Sequence, residues 1–364
     1  MSNEALEVPM SEQPADRVPI VPDEQPATPA TNFDFSLIDN PTSDPSENVG
    51  LLTVKTTNKW IDDAKRRPTP KMLFDCLWYE GELCILFADT NLGKSVLAVQ
   101  IADAISKGEA IQGFRLEAPA QPVIYLDFEL SDKQLEARCS NNFAEHRMFS
   151  DNFLRAEINP DSDIPDNMDF EELLNQSIEQ AIANTGAKVL IVDNLTYLRH
   201  GTETAKDALP LMKSLKEWKR KFGISILALA HTPKRVLSNP ITRNDLQGSK
   251  MLINFCDSAF AIGESFRDKH LRYIKQIKQR NCVSMYDSNN VVVCELTNPD
   301  NLVQFVFQDY GKEADHLRVF DDEERDNLVE QVRGMSEQGM SQRAIAKELK
   351  ISPSVVNKYL KQKQ

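Results

Sequence analysis

The segment ADTNLGKS, residues 88–95, has the residue types and the spacing that bind a phosphate chain. It follows the apolar run LCILFA (83–88) and precedes a stretch with helical periodicity, 94–107. Such a loop points its backbone N–H groups and the start of the next helix at negative charge. The sequence therefore predicts a phosphate-binding loop made of Ala88, Asp89, Thr90, Asn91, Leu92, Gly93, Lys94 and Ser95.

The loop resembles a P-loop, whose pattern is GxxxxGK[ST], with strand, loop and helix in the required order. This resemblance implies ATP and Mg²⁺ as cofactors. Lys94 would reach the β- and γ-phosphates, and the Ser95 hydroxyl would hold the metal ion. Ala88 departs from the pattern, which has glycine there, and its Cβ could crowd the turn. The alternative is a chance Gly-Lys-Ser at the start of an ordinary helix.

Two acidic residues follow other apolar runs and suit the remaining chemistry of a phosphate site. Asp193 ends VLIVD, where a strand end would place it beside the loop as a second anchor for Mg²⁺. Glu129 follows VIYLDF and is predicted to be the catalytic base that orients or deprotonates water. Asp127 is the rival for that role. For all three residues, the alternative is an acid that caps a turn or a helix.

These residues are positioned by an alternation of apolar runs and helical stretches. Apolar strands separated by helices indicate a parallel sheet covered on both faces, so the predicted fold class is α/β. Later runs, RYIKQIKQR, VVVCELT and LVQFVFQ, have no helix between them and indicate antiparallel strands at one edge. The predicted strands are 83–88, 123–129, 189–194, 224–230 and 258–263; the predicted helices are 94–107, 131–147, 168–184, 205–222 and 246–255.

The phosphate loop followed by LDFELSDKQLEAR, VLIVDN and LALAHT resembles the RecA-like ATPase core over about residues 60–308. Within that group, the chain is similar to hexameric helicases of the plasmid RepA and DnaB type. The resemblance implies a homo-oligomer, expected to be a hexamer, that binds DNA, and it favours Glu129 as the catalytic glutamate. His231 matches a polar residue that senses the γ-phosphate, although a lone histidine at a strand end is more often structural.

The segment YIKQIKQRN carries Lys278 and Arg280, which a strand would point to one face. The resemblance implies that this pair reaches the γ-phosphate held by a neighbouring subunit, with Arg280 as a finger that stabilises transition-state charge. The alternative is a solvated basic edge strand.

Two basic regions are candidate DNA contacts. The segment 232–250 carries Lys234, Arg235 and Arg243 and would bind single-stranded DNA through its backbone, a lid or surface loop being the alternative. Residues 339–362 resemble the helix-turn-helix of resolvases and sigma-type regulators and would bind duplex DNA, a protein-docking domain being the alternative. There Arg343 and Lys347 would contact phosphates, and Ser354, Val355, Asn357 and Lys358 would lie near the start and on the exposed face of the recognition helix.

The net charge of -13 over 364 residues argues against a nucleic-acid partner only until it is divided along the chain. Residues 1–50 hold ten acidic residues against Arg17, and their prolines and few apolar residues predict a disordered tail. The core is predicted over 51–310, a linker over 311–322 and the C-terminal module over 323–364. The scattered cysteines and the absence of a signal peptide or membrane span favour a reducing cytoplasm and exclude disulfide or zinc scaffolds.

The sequence thus favours a DNA-dependent ATPase, a hexameric helicase or helicase-like initiator of a plasmid or mobile element. An ATP-controlled regulator that binds DNA without translocation, and a recombination or repair ATPase of the same fold, are the alternatives.

Overall fold

The computed structural model describes residues 47–49, 51–198, 205–233, 235–246, 250–318, 322–349, 351 and 353–361. The chain forms two compact units, Met1–Pro68 and Thr69–Gln364. In the first unit, β1 (Glu47–Val49) pairs antiparallel with β2 (Leu52–Val54), and α1 (Thr57–Lys65) follows. The predicted disordered tail, 1–50, is therefore wrong at its end, because β1 lies within it. Residues 1–46 lie outside the described residues.

A nine-stranded sheet in the second unit has the order β15-β14-β13-β12-β5-β11-β10-β6-β9. The six strands from β12 to β9 are parallel, and β13 to β15 are added antiparallel at one edge. The predicted α/β fold with a mostly parallel sheet is confirmed. The strands of this unit are β3 (Met72–Phe74), β4 (Trp78–Tyr79), β5 (Leu83–Ala88), β6 (Val123–Asp127), β7 (Ser140–Asn141), β8 (Glu145–His146), β9 (Phe153–Ala156), β10 (Val189–Asp193), β11 (Ser225–His231), β12 (Ser258–Glu264), β13 (Leu271–Lys278), β14 (Val291–Thr297) and β15 (Gln304–Gly311).

Helices cover both faces of this sheet, as its fully apolar strands require. Leu83, Ile85 and Phe87 of the central strand β5 pack in one core with the helices on one face, and the residues between them pack in a second core with α2. Because these strands run parallel, their carboxyl ends lie together at one edge of the sheet, the carboxyl edge, where α2 begins. The helices are α2 (Lys94–Lys107), α3 (Asp132–Arg138), α4 (Phe170–Thr185), α5 (Ala205–Phe222) and α6 (Lys250–Phe255).

Some predicted boundaries in this unit are wrong, among them those of one helix and of the linker. The predicted helix 131–147 is only α3, because the chain turns after Arg138 into the hairpin of β7 and β8. The predicted linker, 311–322, is wrong at its start, because a 3-10 turn over Glu313–His316 belongs to the core. Glu313 is fully buried and accepts hydrogen bonds from Lys275 Nζ at 2.6 Å and from the Ile241 N–H at 2.7 Å.

The C-terminal segment forms three helices, α7 (Asp322–Glu337), α8 (Gln342–Glu348) and α9 (Pro353–Lys361). They share an apolar cluster in which Val332, Ile345 and Val356 are fully buried. Val355, predicted to lie on the recognition face, is half-buried and packs against the cluster instead.

The six cysteines are all free. Among the described residues, no helix is both long and apolar enough to cross a membrane.

Candidate functional site

The phosphate loop lies between the end of β5 and the start of α2, at the centre of the carboxyl edge. Asn91 and Gly93 adopt left-handed backbone conformations, with φ of 65° and 92°, which asparagine and glycine tolerate best. Ala88 is the last residue of β5 and is fully buried between β11 and β12. It has no left-handed φ, so a Cβ is accommodated where the usual pattern has glycine.

Lys94 is folded back over the loop that precedes it. Its Nζ donates to the carbonyl oxygens of Ala88 at 3.0 Å and Asp89 at 3.2 Å, and lies 3.1 Å from His231 Nδ1. Burial lowers the pKa of Lys94 from its ordinary value, while the carboxylates of Asp193 and Glu129 act in the opposite direction. A phosphate chain at the loop would add negative charge beside this cation and favour its protonated form.

Asp193 ends β10 beside the start of α2 and is buried. Its Oδ2 accepts a hydrogen bond from Tyr125 Oη at 2.6 Å, and a hydrogen bond with Ser95 also stabilises the carboxylate. Burial raises the pKa of Asp193 above its ordinary value, against these hydrogen bonds. The predicted pair Ser95 and Asp193 is therefore brought together, as the binding of one cation requires.

This pair of oxygen donors fits Mg²⁺, which keeps several waters and binds through one or two protein oxygens plus substrate phosphates. No group of three or more histidine, cysteine or acidic side chains is arranged to hold a metal within the described part of the chain. Ser95 and Asp193 would thus hold the ion together with the nucleotide. When bound, Mg²⁺ would neutralise charge that develops on the phosphates.

Glu129 lies two residues beyond the end of β6, so the predicted strand 123–129 is wrong at its end. Asp127, the rival for the role of base, is engaged in structural contacts. Its Oδ1 accepts from the N–H groups of Glu129 and Leu130, and its Oδ2 accepts from Arg155 Nε at 2.9 Å. Asp127 therefore shapes the turn that carries Glu129, and Glu129 is the better candidate to meet a water molecule.

Asn194, which sequence reasoning missed, connects the polar residues of this site. Its Nδ2 donates to Glu129 Oε1 and lies 3.2 Å from His231 Nε2. Glu129 Oε1 itself lies 3.8 Å from His231 Nε2. The His231 side chain at this distance lowers the pKa of Glu129, which favours the ionised carboxylate. The feature of the sequence that could have identified Asn194 is its position directly after Asp193, at the same strand end.

Lys278 and Arg280 lie near the amino ends of the parallel strands, opposite the carboxyl edge that holds the phosphate loop. Arg280 follows β13 and its Nη1 contacts Asp257 Oδ1 at 3.3 Å, while Asp257 Oδ2 accepts from the N–H of Leu83 at the start of β5. The five-residue span from Leu83 to Ala88 separates this edge from the phosphate loop by roughly 17 Å. Arg280 therefore cannot reach the phosphate site of its own chain.

The sequence predicted Lys278 and Arg280 in one strand, but β13 ends at Lys278 and Arg280 lies two residues beyond it. Both side chains nevertheless point to the same place, because Lys278 Nζ and Arg280 Nη2 each donate to the carbonyl oxygen of Asn254 at 3.3 Å. Lys278 Nζ donates to the carbonyl oxygens of Ile253 and Cys256, both at 2.6 Å, at the end of α6.

The predicted DNA contacts lie in three places. Arg235 is half-buried in a cavity beside the phosphate loop, whereas Arg243 is exposed on a 3-10 turn. Lys234 lies outside the described residues. In the C-terminal helices, Arg343, Lys347, Ser354 and Lys358 are exposed and Asn357 is half-buried.

A family model described as an AAA domain matches residues 51–236. The chain belongs to this AAA-domain family. The match contains the phosphate loop, Glu129, Asp193 and His231. The AAA domain and the geometry of its loop together support an ATP hydrolase.

Among solved structures, the AAA-domain chain is similar to a KaiC-like protein from the hyperthermophilic archaeon Pyrococcus horikoshii. The identity is 11%, the TM-score is 0.44, and the alignment covers 64% of this chain and 91% of that one. A search of curated proteins found no match.

Proposed function

We propose that this protein is a DNA-dependent ATPase, a hexameric RepA-like replicative helicase or helicase-like initiator of a plasmid or mobile element. Glu129 activates the attacking water, Lys94 binds the β- and γ-phosphates, and Ser95 with Asp193 holds Mg²⁺. His231 senses the γ-phosphate. Basic residues of the segment 232–250 contact single-stranded DNA, and the C-terminal helices contact duplex DNA.

The observation that carries this proposal is that the predicted catalytic residues are divided between two opposite edges of the sheet. Glu129, Lys94 and His231 lie together at the carboxyl edge, whereas Arg280 lies at the amino edge, beyond reach of its own phosphate loop. A second copy that presents its amino edge would supply the missing cation. This arrangement supports hydrolysis between subunits, which a ring or filament provides.

Single-stranded DNA tests the first part of the proposal. We expect it to increase the steady-state rate of ATP hydrolysis several-fold, and Arg243→Ala to weaken this stimulation without changing the rate in the absence of DNA. A forked duplex with a labelled strand measures unwinding. An ATPase rate that ignores DNA, with no unwinding of the fork, would contradict the helicase proposal.

A regulator that uses ATP only to assemble on DNA is the second candidate, favoured by the separate apolar cluster of α7, α8 and α9. Both candidates predict duplex binding through exposed cations of α8 and α9. Replacing Arg343, Lys347 and Lys358 by alanine should lower the salt dependence of duplex binding by about three in log–log slope.

The matched control for this triple variant removes three cations of α5, through Lys213→Ala, Arg220→Ala and Lys221→Ala. Fluorescence anisotropy with a labelled duplex over a range of salt concentrations measures both slopes. Equal slopes for the two triple variants would reject the assignment of duplex binding to α8 and α9. Unwinding activity separates the helicase from the regulator.

A further inference from the structure

A cavity of about 260 Å³ lies beside the phosphate loop, on the side of β12 and β13. Its walls include Asp89 and Asn91 of the loop, Arg235 after β11, Glu264 at the end of β12 and Arg272 at the start of β13. Because β13 runs antiparallel to β12, its first residues return to the carboxyl edge where the phosphates would bind. The cavity is therefore next to the nucleotide site of the same chain.

Arg272 is unusual for a buried arginine, because no acidic side chain of the described residues forms an ion pair with it. Its side chain is only 9% exposed, and its Nη1 donates to the carbonyl oxygens of Lys269 and Leu271, both at 2.8 Å. Its buried Nε has no hydrogen-bond partner among the described residues. Burying a cation without a counter-ion is costly, so this position suits a guanidinium that meets a ligand anion.

Arg235 brings a second guanidinium to the same cavity. Its Nη1 donates to the carbonyl oxygen of Asn239 at 3.0 Å. Neither arginine forms an ion pair with a described carboxylate, although Glu264 is the cross-strand neighbour of Arg272 and Asp89 lines the cavity. Asp89 Oδ1 instead accepts from the N–H of Thr90 at 2.7 Å. Two cations and two acids thus line the cavity, but neither carboxylate forms an ion pair with a guanidinium, which leaves both arginines without an acidic partner among the described residues.

We propose that Arg272, with Arg235 beside it, contacts the terminal phosphate of the nucleoside triphosphate bound in the same chain. The inference rests on the proposed ATPase function, and it assigns Arg235 to the nucleotide rather than to DNA. Arginine suits this role because its planar fork can donate two hydrogen bonds to one phosphate. The two residues would therefore distinguish a triphosphate from a diphosphate without help from a neighbouring subunit.

The test compares the affinities of a non-hydrolysable ATP analogue and of ADP, each with Mg²⁺, by titration calorimetry on the full chain without DNA. Arg272→Ala is expected to weaken binding of the analogue about ten- to a hundredfold and to change ADP affinity by about twofold at most. Arg272→Lys should restore part of the loss, because it keeps the charge. Arg235→Ala should shift the same ratio in the same direction by a smaller factor.

Arg267→Ala is the matched control, since Arg267 is exposed in the turn between β12 and β13 and does not line the cavity. An unchanged ratio of analogue to ADP affinity in both Arg272→Ala and Arg235→Ala would overturn the proposal. If Arg272→Ala lowers the melting temperature, Arg272→Lys and Arg235→Ala still decide, because Arg235 is half-buried and lies outside the strands.

Failure of this inference is distinguishable from failure of the proposed function. A wild-type chain that binds neither nucleotide would reject the ATPase assignment itself. Another outcome is a wild-type chain that binds both the analogue and ADP while its hydrolysis does not respond to DNA. That result would reject only the DNA-dependent part of the proposed function, and the ratio of analogue to ADP affinity would still test the role of Arg272.

Discussion

Glu129→Gln is expected to reduce the turnover number for ATP by about two to four orders of magnitude, because it removes the base that activates water. Glutamine keeps the size of the side chain and can accept the hydrogen bond from Asn194 Nδ2. The dissociation constant of ATP should therefore change little, since Lys94 and the loop hold the phosphates. Coupled-enzyme assays give the turnover number, and equilibrium titration with an ATP analogue gives the affinity.

Asp132→Asn is the control, because Asp132 lies on the adjacent helix α3 with an exposed carboxylate. Full turnover in Glu129→Gln would exclude Glu129 as the base.

The pH dependence of turnover is a second test of the role of Glu129. Since His231 lowers the pKa of Glu129, the base stays ionised below the usual range, and turnover should fall only at unusually low pH. His231→Ala should raise that pKa and move the acid limb to higher pH.

Arg280→Ala is expected to reduce turnover about a thousandfold or more if Arg280 acts as a finger between subunits. The same substitution in one subunit damages the site of its neighbour, whereas Lys94→Ala damages the subunit's own site. Mixing the two inactive variants should therefore restore part of the turnover, because some interfaces combine an intact loop with an intact Arg280. Hydrolysis measured against the mixing ratio gives the result.

Arg220→Ala serves as the control for a lost cation, since Arg220 is exposed near the end of α5. It should retain turnover alone and give no gain beyond dilution when it is mixed with Lys94→Ala. A mixture of Arg280→Ala and Lys94→Ala that stays inactive, although the two variants co-assemble by light scattering, would reject the role of Arg280 between subunits.

Local signals in the sequence were sufficient for the phosphate loop and the central strands. An apolar run, a glycine next to a lysine, and a helical period are all short-range features, and β5 and α2 have the bounds that the sequence predicted. The pairing of Ser95 with Asp193 could also be predicted, because parallel strands end at one edge. The position of Ala88 inside a strand explains why glycine is not needed there.

The remaining features depend on contacts between distant segments. Asn194 meets Glu129 across 65 residues of sequence, and no local pattern indicates that contact. The pairing of β12 with β13 shifts between Ala259 and Phe260, although the sequence of β13 alternates as a regular strand would. Glu313 lies in a polar stretch of sequence but can be buried because Lys275 neutralises its charge. The loss of apolar periodicity in the sequence therefore does not mark the end of the core.

The contact between Gly93 and β15 has a consequence for how the nucleotide binds. A Cβ placed on Gly93 would lie 3.0 Å from the ring of Phe305, so the antiparallel edge of the sheet supports the phosphate loop from behind. The loop is thereby preorganised, and less conformational entropy remains to be lost when ATP arrives. Folding of the last strand and affinity for the nucleotide are therefore linked, although no residue of that strand needs to touch the phosphates.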